Sequence, residues 1–70
     1  MSARYVAINL SPRQVECLRW VEQGKSANDI GDILGISGRT VERHIFNLCS
    51  QMGVRTRVQA VVLARDMGLI

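Results

Sequence analysis

Residues 37–47 read SGRTVERHIFN, and the pattern inside them decides the fold class. Ser37 can accept from the free amides of a first helical turn. Wound at about 100° per residue, the stretch separates into two faces. Val41, Ile45 and Leu48 gather on one side, and Met52 extends that line. Arg39, Arg43, Phe46 and Ser50 gather on the opposite side. The first face is core. The second is unusual, because a helix meant only for solvent rarely places a phenylalanine between two arginines.

Working outward, the residues just before this helix are GIS, 35–37, and before them Ala27, Ile30, Gly31 and Leu34 repeat at three- and four-residue steps. Ser26 caps that earlier helix and Gly35 stops it. So short a link, with a glycine at the corner and Ile36 to pin it, lets two helices cross steeply. A short helix followed by one with a basic outer face is a helix-turn-helix pattern. Two more helices flank the pair. SPRQ, 11–14, gives Ser11 as N-cap, Pro12 at the first position and Gln14 at the third, and the helix runs to Gly24. TRVQ, 56–59, is a second capping box, opening a helix from Arg57 to about Met67 that Gly68 ends. Residues 1–9 show no period and are expected to be a flexible arm; residues 10–70 form the domain. Nothing reads as a strand, so the predicted class is all-α, a tetrahelical helix-turn-helix domain.

Seventy residues make one small domain. A core of that size supplies only about 3–5 kcal/mol of net stability, so capping and packing matter. No apolar run is long enough to span a membrane. The opening MSARYVAINL lacks the basic start, apolar middle and cleavage site of a signal peptide, which points to a cytoplasmic protein. Cys17 and Cys49 have the spacing of neither a metal pair nor a disulfide framework, so reduced thiols and no metal are expected. The net charge of +3 is unevenly placed. Arg4, Arg13, Arg19 and Lys25 balance Glu16, Glu22, Asp29 and Asp32, and Arg65 balances Asp66. The whole excess comes from Arg39, Arg43, Arg55 and Arg57 less Glu42. Positive charge concentrated on one helix and the loop after it suits a polyanion. No nucleophile–base pairing, paired carboxylates or phosphate loop is present, so an enzyme is not expected, nor is a cofactor. His44, at the border of the apolar face, reads as a packing residue, and Trp20 as a core or partner contact.

From residue 10 onward the chain resembles the DNA-binding domain of LuxR-type regulators (the LuxR/FixJ superfamily). The matches are LSPR with Glu16, GKS at 24–26, Ile30 and Leu34, and IS..TV..H at 36–44. Asn47, MGV at 52–54, Arg57, Ala60 and the closing GLI continue them. The LRW and GKSANDIGDILGIS portions look most like the quorum-sensing branch, whose members carry an acyl-homoserine-lactone-binding domain upstream. The chain departs from the family at four places. Gln14 stands where Glu is frequent, Ser50 and Gln51 where Lys or Arg is common, and acidic Glu42 where a polar or basic residue is usual.

The resemblance implies a bacterial transcription regulator that reads duplex DNA with the helix at about 38–52 in the major groove. Glu42, Arg43 and Phe46 form a compact patch able to meet base edges: Glu with cytosine N4, Arg with guanine, Phe with a thymine methyl. Arg39, Thr40 and Asn47 flank that strip as phosphate contacts, joined by Lys25 and Ser26 at the start of the second helix and by Arg55 and Arg57. The fourth helix is apolar around most of its circumference, a surplus that implies a weak homodimer through Val58, Val61, Val62 and Arg65. RNA polymerase is a further partner that such a regulator implies. A sigma-factor region-four module shares the tetrahelical shape but fits these motifs less well. A rival of another class is an interaction module that pairs with full-length regulators and antagonises them without touching DNA. Glu42 and the missing cations at 50 and 51 keep it open.

Overall fold

Each predicted helix begins at the hydroxyl that was expected to cap it. The computed structural model describes residues 8–70, with α1 at Pro12–Glu22, α2 at Ala27–Leu34, α3 at Gly38–Met52 and α4 at Arg57–Asp66. Ser11, Ser26, Ser37 and Thr56 are the N-caps, each accepting from the backbone N–H three residues on. The expected capping boxes at Ser11–Gln14 and Thr56–Gln59 are both closed. A third, Ser26 with Asp29, was not anticipated: the Asp29 carboxylate also accepts from the Ser26 N–H. The fourth helix is one residue shorter than expected, because Met67 serves as its cap before Gly68 turns the chain. No strand occurs among the described residues.

α3 lies at the centre, packed against the other three helices, while α1 also packs on α4. The apolar line Val41, Ile45, Leu48 and Met52 is buried as its period required, joined by Cys17, Leu18, Ile30, Ala60 and Ala64. Ile36 packs on this core from the corner between α2 and α3. Gly35 makes that corner in the left-handed region, φ 74°, where only glycine is unstrained. Gly31 matters differently. It is buried, and a Cβ there would stand 2.5 Å from the Ile36 carbonyl oxygen, so only a bare α-carbon lets the turn close. Gly38 lies directly against the Asn28 side chain, which would have to turn aside for a Cβ there. The first turns of α2 and α3 therefore touch, and α3 is held with one side outward.

Of the stretch expected as a loose arm, residues 1–7 lie outside the described residues, while residues 8 and 9 make contacts with the domain. Ile8 packs on the core, and the Asn9 carbonyl accepts from Gln51 Nε2 at 3.2 Å. Gln51 Oε1 in turn accepts from Gln14 Nε2. Gln14 is buried with both of its amide atoms bonded, since its Oε1 accepts the Ser11 N–H at 2.8 Å. The pattern of residues 1–9 concealed this because the tie depends on a side chain 42 positions away.

Candidate nucleic-acid interface

On α3 the solvent face is the one the helical period set apart. Arg39, Glu42, Arg43, Phe46, Asn47 and Ser50 are all exposed, and Thr40 is half-buried with its hydroxyl 2.9 Å from that of Ser37. Phe46 is 73% exposed, the largest exposure among the exposed large apolar residues of the domain. Arg43 sits three positions before it, on the same side of the helix. Lys25 and Ser26 are exposed at the start of α2, the helix whose Asn28 lies against Gly38 of α3.

Beside this face runs a shallow cleft lined by Glu42, Phe46, Arg55, Thr56 and Arg57, with Ile45 and Cys49 at its floor. The turn at Gly53 brings the loop back so that α4 begins against the second turn of α3. Arg57 Nη2 donates to Glu42 Oε1 at 2.9 Å. Two residues expected to act separately, one on a base and one on a phosphate, thus hold each other. No helical spacing could have shown it, because they belong to different helices. Among the described residues Arg39, Arg43 and Arg55 have no carboxylate within ion-pair distance. Cys49 is shielded beneath the cleft, and burial pushes its thiol pKa up although Arg57 pulls it down. Burial likewise raises Cys17, with Arg13 opposing and Glu16 adding to the rise. Neither thiol is a ready nucleophile.

α4 divides its apolar surplus between two sides. Ala60 and Ala64 are buried, Val61 and Leu63 pack partly on the core, and Val58 and Val62 stand 68% and 55% exposed. Arg65, one turn beyond Val62 on the same strip, pairs with Glu22 of α1 at 3.2 Å. The small alanines face inward because α1 and α3 crowd that side, which leaves the branched valines outside. Among the described residues no helix is long and apolar enough to cross a membrane.

Comparison with known proteins agrees with this architecture. Residues 8–64 match the family of bacterial regulatory proteins of the luxR type. The transcriptional activator protein BjaR1 of Bradyrhizobium diazoefficiens is 43% identical over 60 residues, which cover 86% of this chain and 25% of that protein. The transcriptional activator protein VanR of Vibrio anguillarum is 44% identical over 55 residues, 79% of this chain and 23% of its own. The quorum sensing-dependent regulator VjbR of Brucella abortus is 38% identical over 68 residues, 97% of this chain and 26% of its own. The chain thus spans about a quarter of the length of the relatives it matches. With its four helices, its glycine corner and the match over residues 8–64, the chain belongs to the luxR family of bacterial regulatory proteins.

Proposed function

We propose that this domain binds duplex DNA sequence-specifically, with α3 in the major groove and Glu42, Arg43 and Phe46 toward base edges. The observation that carries this is the outward Phe46 beside Arg43 on a helix whose opposite face is core. A major groove about 12 Å wide admits an α-helix, and its edges offer what these side chains lack. The Arg43 fork can take guanine O6 and N7, and the Phe46 ring can cover a thymine methyl. Arg39, Thr40 and Asn47 on the helix flanks, Lys25 and Ser26 at the adjoining end, and Arg55 and Arg57 across the cleft would meet phosphates and fix the register. The strip Val58, Val61, Val62 and Arg65 would join two copies about a two-fold axis, one per half-site. The names of the relatives, activators and a quorum-sensing regulator, support transcriptional control as the outcome, with RNA polymerase as a second partner.

A binding-site selection tests this, run with wild type, Arg43→Ala, Phe46→Ala and Arg39→Ala at one salt concentration. The Arg43 variant should lose about 1–3 kcal/mol on the selected site and relax the preference at one base pair. Arg39→Ala should weaken all sequences alike. If the Arg43 and Phe46 variants select the wild-type motif with undiminished stringency, α3 is not the reader. A second reading, a module that pairs with full-length regulators without touching DNA, is favoured by the acidic Glu42 on this face. Absence of any gel shift on duplex DNA, together with capture of a regulator through α4, would establish it instead.

A further inference from the structure

The face proposed for DNA carries a carboxylate, and that carboxylate is already engaged. We infer that Glu42 is a specificity gate: it holds Arg57 off the phosphate backbone until a base amino group in the groove takes its carboxylate. The inference rests on the groove-helix reading of α3.

The geometry supplies both halves of the exchange. Glu42 and Arg57 join across the cleft at 2.9 Å, and their side chains are 54% and 39% exposed. Exposed pairs of this kind are weak, so the contact can be traded for another. Phe46 and Arg55 line the same cleft, which places the pair at the edge of the base-reading strip and not apart from it. While joined, the two charges cancel, and Arg57 releases no counterion from DNA. Once parted, Arg57 can neutralise a phosphate, but Glu42 then faces a polyanion and needs a donor. Cytosine N4 and adenine N6 are donors in the major groove, whereas guanine O6 and N7 and thymine O4 only accept. On a base pair that turns an acceptor to Glu42, the carboxylate is better left on Arg57. The backbone contact of Arg57 is therefore conditional on the base beneath Glu42. A residue that repels wrong sequences in this way gives discrimination at some cost in affinity.

The test is the salt dependence of binding by the 70-residue chain, on its selected site and on a scrambled duplex. The variants are Glu42→Gln, Arg57→Ala, both together, and Glu16→Gln. The last removes the same charge from a pair with Arg13 on the exposed side of α1. Releasing Arg57 onto one phosphate steepens the log–log slope by about 0.9. Glu42→Gln should show that steepening on scrambled duplex and almost none on the selected site. In the Arg57→Ala background Glu42→Gln should leave the slope unaltered, as Glu16→Gln should in wild type. Glu42 is exposed and Arg57 half-buried, and matching thermal melts would show that the slopes report binding and not folding. An unchanged scrambled-duplex slope for Glu42→Gln, or a gain that survives without Arg57, overturns the gate while the groove reading stands on the site selection. A wild type with no salt-dependent preference for any duplex overturns both.

Discussion

Gly31 sits in the middle of α2, at a place where a helix would ordinarily gain from alanine. Replacing it should add about 1 kcal/mol of helix propensity. Yet the new methyl would stand 2.5 Å from the Ile36 carbonyl, which is backbone and cannot swing aside. Overpacking of this kind costs about 1–3 kcal/mol, so Gly31→Ala should lose stability on balance, or splay the corner and weaken DNA binding. Thermal unfolding of the variant checks the first outcome, and gel shift the second. The two cysteines are a converse case, where shielding makes a reactive group inert. Cys17 and Cys49 should resist iodoacetamide at neutral pH and react once the chain is denatured, which mass spectrometry can count. Their pKa values are raised above the ordinary 9.0. The contribution of the protonated thiols to stability is thus fully present below about pH 9 and lost as pH climbs through the raised values.

Among the helices, what could be anticipated was what depends on near neighbours. The caps at Ser11, Ser26, Ser37 and Thr56 need only a hydroxyl and an amide three residues on, and the buried line of α3 needs only the helical period. The burial of Gln14 and the Glu42–Arg57 pair needed the packed chain, because their partners lie 37 and 15 residues away. The third capping box was available in Ser26 and Asp29 but is overlooked when Glu or Gln is the expected residue. α4 is the intermediate case. Its composition announced a surplus of apolar surface, yet no periodicity said whether alanines or valines would face α1 and α3. With Ala60 and Ala64 inside, the exposed Val58 and Val62 become the testable strip. Val62→Glu should leave the melting curve nearly unchanged and abolish cooperative binding to two half-sites about 34 Å apart. Sedimentation on such a duplex, showing one copy bound where wild type shows two, would bear this out. If wild type also binds singly, the strip has another use.

For the domain as a whole, charge is distributed as its fold is organised. The +3 excess arises between residues 37 and 57, on α3 and the loop that returns to α4. About 3–5 phosphates neutralised per copy should give a log–log salt slope near −3 to −5, and twice that for two copies on one duplex. Filter binding across a salt series measures it, and a flat line would remove DNA from consideration. The remaining charges behave differently: Arg13–Glu16 and Arg65–Glu22 are surface pairs that salt can screen with little loss.

The tie between the N-terminal segment, α1 and α3 contains no charge at all. It runs from the Ser11 amide through Gln14 and Gln51 to the Asn9 carbonyl, every link a neutral donor meeting a neutral acceptor. Ionic strength and mild acid therefore have no handle on it. Grip and shape are consequently on separate controls: brine strong enough to strip the domain from a duplex should leave the melting temperature of the free domain where it was. A binder of this construction can be washed off and put back without ever having come undone.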